Sequence, residues 1–184
     1  MGNARRGEMV QLGAAPSVYW IGFSWETEAD EMDTDLMAFI LDETGKIISE
    51  QDVVFYNNQS SGNGSVTIAY LSDQANWEFS VDFSKLPESA QGIVFVLTIY
   101  QAKERKQSAS QIKNLSVAVQ ELKDASRLEG KETASCVQEC GNPPQELLIV
   151  CEFRRISGSW FFVPLYNGFD GDLISLCKHY GLEE

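Results

Sequence analysis

Four acidic residues, Asp30, Glu31, Asp33 and Asp35, crowd the chain immediately before the apolar run Leu36 to Leu41. If that run is a strand, Asp33 and Asp35 occupy alternate positions and so share one of its faces. A second strand candidate, Val53 to Tyr56, passes straight into the polar stretch Asn57 to Ser65, NNQSSGNGS. Should the two strands pair antiparallel, the start of one lies beside the end of the other, and Asp33 and Asp35 face Asn57 and Asn58. Two carboxylates, two amide oxygens and nearby turn carbonyls make the oxygen-rich, flexible shell that Ca2+ prefers. This is not an EF-hand loop: Met37 stands where a third Asp or Asn belongs, and Ala38 replaces the glycine. The plainer reading leaves the carboxylates solvated at a strand end and makes NNQSSGNGS a surface turn with nothing to offer a hydrophobic core.

Other chemistries find less support. Nucleophilic catalysis needs a base beside the nucleophile, and the sole histidine, His179, sits in the helical stretch Leu176-Cys177-Lys178-His179-Tyr180. There is no Gly-x-Ser-x-Gly elbow and no pair of metal-spaced histidines. Ser60 to Ser65 has the glycines of a phosphate loop. It lacks the lysine and leads into another strand, so no helix N-terminus follows to receive an anion. Catalytic residues and an organic cofactor are therefore expected to be absent. The cysteines, Cys136, Cys140, Cys151 and Cys177, lack structural zinc spacing and read as reduced thiols, with Cys151 and Cys177 packed as small hydrophobes.

Period-two patterns recur along the chain and supply the elements that would position these groups. Strands are expected at Met9 to Leu12, Val18 to Trp25, Leu36 to Leu41, Val53 to Tyr56, Val66 to Tyr70 and Trp77 to Phe83. Gly92 to Tyr100 is a continuous apolar run, the pattern of a strand covered on both faces. Further strands follow at Leu115 to Val119, Ala134 to Gln138, Leu147 to Arg154 and Trp160 to Leu165. Only Leu173, Leu176, Cys177 and Tyr180 form a helical stripe, with Asp170 or Asp172 near its start and Gly181 at its end. Many short strands with one late helix predict an all-β fold, a two-sheet antiparallel β-sandwich with a short C-terminal helix. That helix is expected against an edge or end of the sandwich. No linker or repeat divides residues 1–184, so one domain is expected.

Composition narrows the partners. The net charge is −13, which would repel phosphate backbones, so nucleic acid is not expected. The basic knot Lys103-Glu104-Arg105-Lys106 reads as a solvated loop. No apolar run approaches the ~20 residues that span a bilayer, and neither a secretory signal nor a myristoylation pattern opens the chain. The cytoplasm is the expected compartment.

The order of motifs carries a resemblance. DTDLMAFILDETGKI, DVVFYNNQSSGNGSV and VDFSKLPESAQGIVFVLTIYQ are similar to the core of the TerD family of bacterial tellurite-resistance and stress-response proteins. Asp33-Thr34-Asp35 matches the family's Asp-Leu-Asp, Phe55-Tyr56-Asn57-Asn58 its Phe-Tyr-Asn-Asn, and Asn63-Gly64-Ser65-Val66 its Asp-Gly-Ser-Val. CEFRRISGSWFFVPL and GDLISLCKHYGL resemble its closing hairpin and helix, so the similarity spans nearly the whole chain. The resemblance implies a calcium-binding β-sandwich that is not an enzyme. It also adds Asp73 to the candidate ligands Asp33, Asp35, Asn57 and Asn58. The family's acidic loop is depleted here: Asp73 keeps one acidic position, while Ala75, Asn76 and Trp77 replace an acidic trio. Fewer carboxylates attract Ca2+ less strongly. The expectation is a bacterial stress-response protein of the tellurium-resistance type, with a weakened or vestigial Ca2+ site, acting through other proteins. A metal-free β-sandwich interaction module is the alternative, and a Mg2+-dependent phosphoryl-transfer enzyme ranks third.

Overall fold

A computed structural model of the chain describes residues 3–13, 17–29 and 31–183, which leaves the acidic residue Asp30 outside the described residues. Eleven strands and two α-helices follow in order. The strands are β1 (Val10–Gln11), β2 (Val18–Thr27), β3 (Thr34–Leu41), β4 (Val53–Val54), β5 (Val66–Ile68), β6 (Trp77–Asp82) and β7 (Gly92–Ile99). Helix α1 (Ala102–Arg105) precedes β8 (Ile112–Leu122), β9 (Gly130–Gln138), β10 (Leu147–Ile156) and β11 (Ser159–Phe169), and α2 (Leu173–His179) closes the chain. One sheet runs β1-β11-β10-β7-β3-β4 and the other β5-β6-β2-β8-β9. Every pairing between these strands is antiparallel. This is the expected all-β sandwich.

Alternation sorts the side chains into two layers. Tyr19, Ile21 and Phe23 of β2, Leu36, Ala38 and Ile40 of β3, and Ile93, Phe95 and Leu97 of β7 meet between the sheets. Phe95 lies against Phe23, Phe79 and Phe153 with ring centroids 5.3–5.8 Å apart, tilted or edge-on. The opposite row of β3 and β7, Met37, Phe39, Leu41, Val94 and Val96, forms a second apolar cluster with Leu176 and Tyr180 of the C-terminal segment. That explains the unbroken apolar run of β7: both its faces are covered.

The position of α2 differs from expectation. It lies on the outer face of the six-stranded sheet and not at an edge or end, because an apolar row there needs a lid. Asp172 caps its first turn by accepting from Ser175 N at 2.9 Å and Ser175 Oγ at 2.7 Å. At the other end Gly181 adopts φ +86°, and Leu182 N donates to Cys177 O at 2.9 Å while Gly181 N donates to Lys178 O. This is a Schellman closure, for which glycine is the favoured residue. Ile47 N donates to Tyr180 O at 2.8 Å, and the Lys46 ammonium reaches His179 O, so the helix end is moored to the turn after β3.

Two smaller differences concern residues read as inert. The basic knot forms α1 rather than an open loop, and Arg105 places its guanidinium 5.7 Å from the Tyr100 ring centroid. Cys136 and Cys151 are the buried thiols, whereas Cys177 is only half-buried at the edge of α2. All four cysteines are free.

Leu176 is fully buried between α2 and the sheet. Leu176→Ala should therefore destabilise the protein by about 2–5 kcal/mol, read as a lower midpoint in urea unfolding. A change below about 0.5 kcal/mol would mean that α2 contributes no core.

Candidate functional site

Strand β3 places Asp35 in line with Met37, Phe39 and Leu41, and Asp33 lies just before the strand begins. Asp35 pairs with Thr98 across β3 and β7 and is half-buried. Burial, and secondarily the charge of Asp33, pushes the Asp35 carboxyl above its ordinary range. Asp33 is exposed, and its backbone oxygen accepts from Tyr100 N at 2.9 Å. Glu31 sits at φ +57°, and its carbonyl accepts from Arg105 Nη1 at 3.1 Å.

The remaining candidate ligands are arranged differently. Strand β4 pairs only Ala38 with Val54 and Phe39 with Val53. The chain then turns back at once: Phe55 N donates to Asn58 O at 3.0 Å, and Asn58 N returns a bond to Phe55 O at 2.9 Å. Asn57 stands at the exposed corner of that turn. The Asn58 amide folds over its own strand, Nδ2 donating to Val53 O at 2.7 Å and Gln51 O at 3.3 Å. Asp73 is exposed in the loop between β5 and β6, which belong to the other sheet. Among the described residues, no three Asp, Glu, His or Cys side chains gather to hold a metal ion. Calcium takes six to eight oxygens. Asp35 stands on β3 with Asp33 two residues before it, so a shell around them would have to draw on amide and backbone oxygens as well.

The polar run after β4 is more ordered than its composition suggests. Ser61 and Ser65 are 3% and 0% exposed. Asn63 makes this burial tolerable: its Oδ1 accepts from Ser65 N at 3.0 Å, Ser65 Oγ at 2.6 Å and Ser61 Oγ at 3.2 Å. Its Nδ2 donates to Lys85 O at 2.7 Å, tying the loop to the segment after β6. Ser61 Oγ accepts from Val66 N at 3.0 Å. Asp52, itself buried, accepts from the Gly62 backbone N–H, yet burial outweighs that bond and pushes its carboxyl up. The stretch holds itself. Serines flanking Asn-Gly are turn chemistry, and that was the signal available in the sequence.

Glu78 went unnoticed in the sequence because β6 reads as an ordinary strand. It is buried, and its carboxylate accepts from Trp20 Nε1 at 2.5 Å, Leu71 N at 3.0 Å and Ser72 N at 2.9 Å. It anchors the loop that carries Asp73. Buried carboxylates persist when such donors surround them.

The fold defines a two-sheet antiparallel β-sandwich domain with polar, self-closing loops. Residues 3–180 match the TerD domain family, and the chain belongs to it. It is 30% identical over 174 residues to the uncharacterized protein YceE of Bacillus subtilis, covering 89% of this chain and 87% of that protein. It is 29% identical over 184 residues to the tellurium resistance protein TerD of Serratia marcescens, covering 92% and 91%. General stress protein 16U of Bacillus subtilis shares 30% over 174 residues, covering 89% and 86%. A solved TerD homologue, SCO6318 of Streptomyces coelicolor, has the same fold, with TM-score 0.62 and 16% identity over 89% of this chain and 96% of that one. No helix among the described residues is long and apolar enough to cross a membrane.

Asn63→Ala removes the acceptor of the Ser65 backbone N–H and of the Ser61 and Ser65 hydroxyls, which keep only their contact with each other, and should lower stability by about 1–3 kcal/mol. Asn63→Asp keeps the Oδ1 acceptor but turns a second carboxylate oxygen toward Lys85 O, so it should recover only part of that loss in urea melts. No recovery at all would mean that the contact with Lys85 O, not the acceptor, closes the loop.

Asp52 gives a pH-dependent test. Its folded pKa is raised, so its favourable contribution is complete below the unfolded value of about 3.9 and is lost as pH rises through the folded value. Asp52→Asn, neutral throughout, should raise the urea midpoint at pH 7 and gain less at pH 4. A gain independent of pH would refute this account.

Proposed function

We propose that this protein serves in resistance to tellurium compounds and related chemical stress, as a non-enzymatic cytoplasmic domain that acts through protein partners and retains a weakened Ca2+ site at Asp33 and Asp35. The observation that carries the reading is the match to the TerD domain across residues 3–180, with TerD of Serratia marcescens aligned over 92% of this chain. The general stress protein and a chemical-damaging agent resistance protein of Clostridium acetobutylicum, 27% identical over 139 residues, support the stress arm. His179 supports the non-enzymatic arm: its ring packs 5.4 Å from Phe169 and 5.0 Å from Tyr180, an aromatic structural environment.

A second reading, a metal-free interaction module, is favoured by one observation. The Asn58 Nδ2 donates to Val53 O and Gln51 O, so the amide is held by its own strand and turn. If Ca2+ is bound, the pair Asp33 and Asp35 would hold it, with a Kd on the order of 10⁻⁴ M or poorer.

Two measurements test the proposal. Expressed in a tellurite-sensitive bacterium, the protein should raise tolerance to tellurite; unchanged growth inhibition would remove the resistance arm. Melting temperatures in millimolar CaCl2, MgCl2 and EDTA test the metal. A calcium-specific rise, worth about 1.4 kcal/mol at a tenfold excess over Kd, should disappear in Asp33→Ala with Asp35→Ala. Identical melting in the three buffers would establish the metal-free module.

A further inference from the structure

Beside Asp35, between the turn at Phe55 to Asn58 and helix α2, the outer face of the six-stranded sheet opens into a cleft of about 440 Å³. Its volume falls within the ~300–1,000 Å³ of sites that take specific ligands. The walls are apolar, formed by Met37, Val53 and Phe55 on the sheet side and Leu173 and Leu182 on the helix side. Three carboxylates stand around it, Asp35, Glu50 and Glu183, and no Lys, Arg or His lines it. The apolar surface continues past the mouth: Tyr56 is 56% exposed, Leu173 40% and Ile174 55%. Single exposed apolar side chains are ordinary, but several together beside a cleft mark a contact surface.

We propose that this cleft is a docking site for a short segment of a partner protein in which basic and apolar side chains alternate, the apolar ones entering between β3 and α2 and the basic ones meeting Asp35, Glu50 and Glu183. Charge complementarity selects the basic residues. The carboxylates meet no basic side chain within the cleft, and the protein carries a net charge of −13, so opposite charge is drawn to this face and like charge is repelled. The extent of the apolar surface selects a peptide over a small amine. Tyr56 lines the cleft yet is 56% exposed, and Ile174, next in sequence to the lining residue Leu173, is 55% exposed; an extended segment can cover such side chains and a molecule enclosed in the cleft does not. The inference rests on the reading that the protein acts through partners, and it gives that reading a surface.

The probe is a fluorescein-labelled nonapeptide of alternating Lys and Leu, compared at physiological salt with Lys–Ser and Glu–Leu peptides of equal length. The Lys–Leu peptide should bind saturably and at least about tenfold more tightly than either control, a difference of about 1.4 kcal/mol. Leu173→Lys, a change at a partly exposed wall, should weaken it about tenfold or more, with melting temperature confirming the fold. Glu129→Gln with Glu132→Gln, exposed on or beside β9 in the other sheet, should leave it unchanged. In a Cys140→Ser background the bound peptide should slow alkylation of Cys177, a half-buried thiol in the cleft, by N-ethylmaleimide.

Equal binding of the Lys–Ser peptide, indifference to Leu173→Lys, or unprotected Cys177 would overturn the proposal. So would n-hexylammonium competing at the affinity of the peptide, since that marks a small-amine site. The peptide assays are run in EDTA, because Asp35 is also a proposed Ca2+ ligand. None of their results bears on the tellurite measurement, so the docking site can fail while the resistance function stands.

Discussion

The structure turns on strand β7 being apolar on both faces. Its inner row, Ile93, Phe95 and Leu97, builds the contact between the sheets, and its outer row, Val94 and Val96, would face water in a bare sandwich. Burying a large aliphatic side chain is worth about 1.5–3 kcal/mol, so the outer row demands a third layer, and α2 is that layer. The cover is short. Seven helical residues span about 10 Å, whereas the eight residues of β7 span about 27 Å. The lid is moored through Ile47 and Lys46 at the Tyr180 end. The sheet is left open around Asp35 and Thr98, the end where the carboxylates stand.

Much of this was legible in the residues because strands announce themselves by alternation. The run at Gly92 to Tyr100 showed two-sided burial before any partner was known. The ends of β8 and β9 were harder to see. Beyond Leu115 to Val119 and Ala134 to Gln138 the solvent-facing positions hold Lys113, Asn114, Lys131 and Glu132, which mask a continuing ladder. Helical periodicity in the C-terminal segment defined a buried stripe without naming what it packs on. The placement of α2 therefore had to come from the sheet.

The candidate site was less legible than the fold because it depends on turns. Facing strands place Asn58 opposite the aspartates only if β4 continues, and β4 stops after Val54. Sheet membership decides the position of Asp73, and alternation cannot tell which of two sheets a strand joins. The burial of Ser61 and Ser65 was invisible because it depends on one amide. Asn63 accepts with one end and donates with the other, whereas a carboxylate at that position could only accept. An amide of this kind closes its loop without a counter-ion, just as Glu78 closes the neighbouring one with donors from Trp20 and the backbone.

The pairing of β1 with β11 brings Val10 opposite Phe162. Contacts so distant along the chain make loop closure entropically expensive, and domains rich in them fold in milliseconds to seconds rather than microseconds. During synthesis at about 5–20 residues per second, β1 waits on the order of ten seconds for its partner to be made. The central strand β7 waits for β10 in the same way, its apolar outer row uncovered until α2 follows. For that interval the nascent chain presents two-faced β structure without its lid, the form most open to wrong strand pairing. Helix α2, translated after β11, ends the exposure.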